Sequence, residues 1–233
     1  NNLGVAFIEQ GEREKSIACF QKAIEIQPNY ADAHYNLGTV FKKLEETQKA
    51  KSCFQKAIEI QSNHVNAHNN LGMVFDELGE FQKALGCYEK AIEIQPSHAK
   101  AHYNLGMVFI KLGERKKAIS CFQRTIKIQP NYTNAYWCLH SFASDIDEAL
   151  KILKKLYSID NKFLKAKIMI SALQGFKGNF NDFDALVASS ESSHPHIRSI
   201  KWIFSLPQLP KIFFNQWDFF DAVVSLTDKS RPF

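Results

Sequence analysis

No stretch of the 233-residue sequence approaches the roughly 18–20 consecutive apolar residues that cross a bilayer, so no membrane helix is expected. The chain also lacks strong charge of one sign. Lys and Arg number 29 against 24 Asp and Glu, giving a net charge of +5 and a pI near 8.8. That excess is mild and unclustered, unlike the basic patch that nucleic-acid binding requires. Gly-x-Gly occurs nowhere, which removes the glycine-rich phosphate loops of nucleotide enzymes. Neither a Ser-His-Asp order nor a paired carboxylate stands out. The sequence therefore reads as non-enzymatic, with no cofactor. What it has is an ordinary globular balance, 45% hydrophobic and 23% charged, which argues against wholesale disorder.

It also has a period. Asn-Leu-Gly recurs at Asn2-Leu3-Gly4, Asn36-Leu37-Gly38, Asn70-Leu71-Gly72 and Asn104-Leu105-Gly106, in steps of 34. Phe7, Phe41, Phe75 and Phe109 keep the same beat, as do Phe20, Phe54, Tyr88 and Phe122, and Pro28, Pro96 and Pro130. Each unit reads as two helices. In residues 65–98, Ala67, Leu71, Val74-Phe75 and Leu78 trace one apolar stripe at helical spacing. Gly79-Glu80 breaks it, a second stripe runs through Ala84, Cys87-Tyr88 and Ala91-Ile92, and Pro96 ends the unit. Neither helix can bury its face alone, so such units must stack.

The spacing of His68, Leu71, Gly72, Phe75, Ala84, Tyr88, Ala91 and Pro96 resembles the tetratricopeptide repeat, strongly over residues 1–132. That resemblance implies an all-α solenoid of stacked helix-turn-helix repeats, coiled as a right-handed superhelix with a helical cap. It also implies a concave groove that binds protein or peptide. Departures are few: Glu45 replaces the turn glycine, Ser62 the terminal proline, and Ser16 an alanine. Residues 133–160 form a degenerate fifth unit, in which His140 stands where Gly38, Gly72 and Gly106 did. An imidazole there must push the helices apart or point away.

Residues 161–233 are expected to be a helical cap and an aromatic-rich linker. A helical pair is placed at 162–176 and 181–189, with Phe163, Ala166, Met169, Ile170 and Leu173 on its buried face. Trp202, Phe204, Phe213, Phe214, Trp217, Phe219 and Phe220 then crowd a short stretch that must pack on something, self-association included. The run from Trp217 to Phe233 is faintly similar to the lead-in of bacterial sugar O-methyltransferases that use S-adenosylmethionine. With Asn1 inside a helix and Phe233 at the other end, the chain reads as part of a longer protein.

The repeated asparagines Asn2, Asn36, Asn70 and Asn104 are the sharpest candidate site. Asparagine is a poor helix former, yet it sits mid-helix in every unit. The family resemblance places this position on the groove, where an amide offers both donor and acceptor to an extended segment. The alternative is that asparagine is simply frequent there in the family. Other groove candidates are Asn66 and Lys100, with Asp32 in the same row; then Tyr35, Asn69 and Tyr103; then Thr39, Met73 and Met107. Lys43, Glu77 and Lys111 stand near the rim. These rows are mixed in charge, which suits a peptide and not a phosphate backbone.

Cys19, Cys53, Cys87 and Cys121 also repeat, but stacked units hold equivalent positions too far apart for a disulfide or a shared zinc. They read as small fillers in a reducing, cytoplasmic compartment. His64 and His68, like His98 and His102, have metal-pair spacing without the His-Glu-x-x-His context, and read as packing at the seam between units. The leading reading is a binding scaffold. The second is the substrate-recruiting arm of a larger methyltransferase or glycosyltransferase.

Overall fold

A computed structural model describes residues 1–162, 166–167, 169–170 and 173–174. Ten helices run through the continuous part: α1 (Asn2–Glu9), α2 (Arg13–Ile26), α3 (Ala31–Lys43), α4 (Thr47–Ile60) and α5 (Val65–Glu77). There follow α6 (Phe81–Ile94), α7 (Ala99–Lys111), α8 (Arg115–Ile128), α9 (Thr133–His140) and α10 (Ile146–Ile159). The described residues contain no strand, so the all-α expectation holds. The chain divides into two compact units, Asn1–Gln129 and Pro130–Phe233.

In the first unit, consecutive helices pair as four antiparallel hairpins. Each buries an aromatic ring from its second helix: Phe20, Phe54, Tyr88 and Phe122 are 0–1% exposed. Burying such a ring contributes roughly 1.5–3 kcal/mol. The ring can settle only because glycine faces it. A Cβ on Gly38, Gly72 or Gly106 would lie 2.7–2.8 Å from the facing ring. Around these contacts Leu37, Val40, Leu71, Val74, Leu105 and Val108 close a continuous core from hairpin to hairpin.

The hairpin turn is a left-handed helix C-terminus. Gly11, Gly79 and Gly113 take φ of 74–77°, and the next amide reaches back, as Glu80 N–H does to Phe75 O at 2.8 Å. Glu45 adopts the same conformation at φ 60° without being glycine. The other departures are absorbed in the same local way. Gln61, before Ser62, keeps the extended backbone of Gln27 and Gln95, and the Ser16 hydroxyl donates to Arg13 O at 2.6 Å. Each turn is stitched on its surface by a lysine that pairs with a glutamate and lies over a phenylalanine, as Lys49 does with Glu46 and Phe41.

In the second unit α9 is only eight residues long and ends at His140. The imidazole does not turn outward. It is 1% exposed, tilted against the Trp137 ring with centroids 4.3 Å apart, with Nδ1 against the Trp137 carbonyl. Ala149, Leu153 and Leu156 are fully buried on α10, and farther on Ala166, Met169 and Leu173 are helical and buried, whereas Ile170, placed on the same face, is half-buried. Phe163, the helix placed at 181–189 and the aromatic stretch beyond residue 200 lie outside the described residues.

Candidate functional site

Within the first unit, successive first helices touch one another, α3 with α5 and α5 with α7. On the opposite side α2 and α4 leave an open cleft of about 630 Å³ over Ile24, Leu37 and Cys53. All the candidate residues lie on these first helices, α1, α3, α5 and α7.

The asparagines do not stand as four independent rungs. Asn36 Nδ2 donates to Asn1 Oδ1 at 2.9 Å, Asn70 Nδ2 to Tyr35 Oη at 3.4 Å, and Asn104 Nδ2 to Asn69 Oδ1 at 3.0 Å. Each amide reaches the preceding hairpin one position earlier than its own equivalent. Asn69, 2% exposed, joins two of these links by donating to Asn70 Oδ1 at 3.1 Å. A polar chain thus runs Asn104, Asn69, Asn70, Tyr35 across three hairpins. Each link contributes roughly 1 kcal/mol, so mid-helix asparagine has a structural use between repeats. Asn2 is exposed and takes no part, whereas Asn1, which the repeat pattern did not single out, does.

The other candidates divide by exposure. Tyr35 is half-buried, tilted against Phe54 at 5.9 Å and His64 at 4.8 Å, and Tyr103 lies similarly on Phe122. Met73 and Met107 are half-buried beside them, with Met73 Sδ 3.8 Å from the Asn69 amide. The Thr39 hydroxyl is spent on Tyr35 O within its own helix. Asn66 and Lys100 are exposed at the starts of α5 and α7, and Asn66 Oδ1 contacts His98 Nε2 at 3.2 Å. Along the far rim, Lys42 bonds Glu77 at 2.6 Å and Lys111 bonds Asp76 at 2.7 Å, both between neighbouring hairpins.

The histidines are seam residues, in a form their spacing did not reveal. His64 and His98 cap α5 and α7, Nδ1 accepting from Ala67 N–H and Ala101 N–H. His34, His68 and His102 turn Nε2 onto the carbonyls of Pro28, Ser62 and Pro96, so that nitrogen carries the proton. Burial holds His98 and His102 below the ordinary imidazole range, with Lys100 adding to the effect at His98. None of the five described cysteines forms a disulfide, and burial pushes Cys53, Cys87 and Cys121 up to about 11, far from the thiolate that metals and electrophiles need. Among the described residues no group of three or more His, Cys, Asp or Glu could hold a metal, and no helix is long and apolar enough to cross a membrane.

The fold defines an array of paired-helix repeats. A tetratricopeptide-repeat model matches residues 31–97 and 65–131, and a second model of the same repeat matches 4–45; the chain belongs to the tetratricopeptide-repeat family. No curated protein sequence matches it. Among solved structures it is similar to MamA, at 26% identity over 70% of this chain and 96% of that one, with a TM-score of 0.61. PilF of Pseudomonas aeruginosa matches 95% of this chain and 94% of its own at 18% identity, with a TM-score of 0.72. YrrB, described as a TPR protein with an unusual peptide-binding site, matches 78% and 97% at 23% identity, with a TM-score of 0.61. The last two establish the fold.

Proposed function

We propose that this chain is a protein-interaction module whose inner face, built by α3, α5 and α7, holds an extended segment of another protein. One observation carries the reading. The carbonyl ends of Asn36 and Asn104 are left over after their amide nitrogens have bonded the neighbouring hairpin, and both side chains are half-exposed on the same face. They are acceptors for backbone N–H groups, set among the rings and thioethers of Tyr35, Met73, Tyr103 and Met107. Asn70 is committed at both ends of its amide and contributes to the frame rather than to the grip. An acceptor-and-ring surface recognises main chain without demanding a sequence, and thioether and tyrosine surface adapts to varied side chains. Family membership and the repeat-only neighbours, matched over most of their own lengths, support a binding role and lend none to a transferase arm.

The test is capture of an arrayed library of twelve-residue peptides by the wild type and by Asn36→Ala/Asn70→Ala/Asn104→Ala. The triple variant should keep its helical circular dichroism and lose at least tenfold in affinity. Asn70→Ala alone should lower the melting temperature and leave capture close to wild type. Undiminished capture by the triple variant removes the asparagine grip.

A further inference from the structure

Along the far rim of the inner face charge is largely paired, with exposed Lys43 outside the pairs, whereas the near edge carries two charges that no opposite charge offsets. At the far rim Lys42 meets Glu77 and Lys111 meets Asp76, each within 2.7 Å. At the near edge, where the first helices begin, equivalent positions carry Asp32 on α3, Asn66 on α5 and Lys100 on α7. Asp32 is 61% exposed. Its neighbour is His64 Nε2 at 3.3 Å, and that ring accepts a backbone N–H at Nδ1, which only the neutral ring with its single proton on Nε2 can do. The carboxylate therefore keeps its net charge. Lys100 is exposed and has no counter-charge among the described residues. A lysine in the first turn of α7 also opposes the helix dipole, so the helix itself gives no reason for it. The edge thus runs from negative through neutral to positive over two repeats, beside the acceptors and rings described above.

Resting on the peptide-binding reading, we infer that the bound segment is dipolar: a basic side chain sits opposite Asp32 and an acidic one opposite Lys100. Neighbouring first helices pack about 10 Å apart, so the two charges lie roughly 20 Å apart along the face. An extended chain advances about 3.3 Å per residue, which sets the spacing at about six residues. Between them the surface of Tyr35, Met73 and Tyr103 suits uncharged, partly apolar side chains. Charge placed in this way fixes register and rejects wrong partners more than it adds affinity.

The experiment uses four pools of blocked peptides with five randomised uncharged residues between the ends Lys and Glu, Lys and Lys, Glu and Glu, or Gln and Gln. Binding to the whole chain is read by fluorescence anisotropy at low and high salt. The Lys–Glu pool should bind about tenfold more tightly than the other three, with the advantage fading as salt rises. Asp32→Lys should transfer the preference to the Glu–Glu pool and Lys100→Glu to the Lys–Lys pool; both positions are exposed, so both variants should fold. Equal binding of all four pools to the wild type overturns the dipolar assignment and leaves the groove reading standing. Failure of every pool, the neutral one included, overturns both.

Discussion

The hairpin α5/α6 and the hairpin α9/α10 occupy equivalent places in the 34-residue beat and are built differently. In the first, Gly72 lets the Tyr88 ring pack against the backbone of a 13-residue helix. In the second, His140 fills the glycine's position, the first helix stops there after eight residues, and the imidazole lies tilted against Trp137. The regular hairpin turns through a left-handed glycine. The other turns through Asp145, whose carboxylate caps α10 by accepting from Glu148 N–H at 2.8 Å while Glu148 reaches back to Ser144. In the hairpin that carries bulk at this position the first helix is shorter, a buried histidine lies against a tryptophan, and a different kind of turn follows.

The sharpest way to break this contrast is to carry the histidine into a regular hairpin. Gly72→His would place even its Cβ within 2.7 Å of Tyr88, against an aromatic ring locked in a full core. The loss of stability measured by urea unfolding should be about 3 kcal/mol or more, at the upper end for an overpacked core. A loss below about 1 kcal/mol would mean that α5 can shorten as α9 does, and the contrast would be one of sequence drift rather than packing.

A second route goes through the histidine itself. Burial pulls the His140 imidazole from about 6.5 down to about 4. Between those values the unfolded chain binds a proton that the folded hairpin refuses, so stability is full above about pH 6.5 and declines as the pH falls toward 4. Over that window the loss should reach about 2–3 kcal/mol. Trp137 emission, followed during urea unfolding with Trp202 and Trp217 replaced by Phe, reports the right hairpin. His140→Gln should flatten the acid limb; an unchanged limb would assign it to His98 and His102, whose burial shifts them the same way.

Much of this was legible because the beat is regular. The pairing of helices, their ends at Pro28, Ser62 and Pro96, and the glycine-facing rings follow from one-dimensional spacing. The links between hairpins did not, for a geometrical reason. Repeat alignment sets Asn36 beside Asn2 and Asn70 beside Asn36, whereas the asparagines bond 35 residues back, to Asn1, Tyr35 and Asn69. Helical side chains lean toward the N-terminus, so neighbouring helices meet one position out of register with their alignment. The histidines hid their roles similarly: the i, i+4 spacing of His64 and His68 looks like a metal pair, but one caps a helix and the other reaches six residues back to a carbonyl. The two exposed charges at Asp32 and Lys100 were visible as residues, and their equivalent places at the starts of α3 and α7 set them apart from the paired charges of the far rim.

The smallest test concerns the turn. Glu45 stands at φ 60° where Gly11, Gly79 and Gly113 hold 74–77°, and among the described residues it is the non-glycine with positive φ. A side chain there crowds its own backbone, which costs about 1 kcal/mol, and the neighbouring Lys49 pairs with Glu46 instead. Glu45→Gly should therefore raise the unfolding free energy by about 1 kcal/mol at unchanged helical content, although glycine also loosens the unfolded chain and takes back part of the gain. The same substitution at Ser144, in the turn before α10, has no left-handed backbone to relieve and should be neutral or slightly destabilising. If both substitutions stabilise equally, the turns of the two hairpin types do not differ in the way their backbones indicate, and the short α9 must be explained by His140 alone.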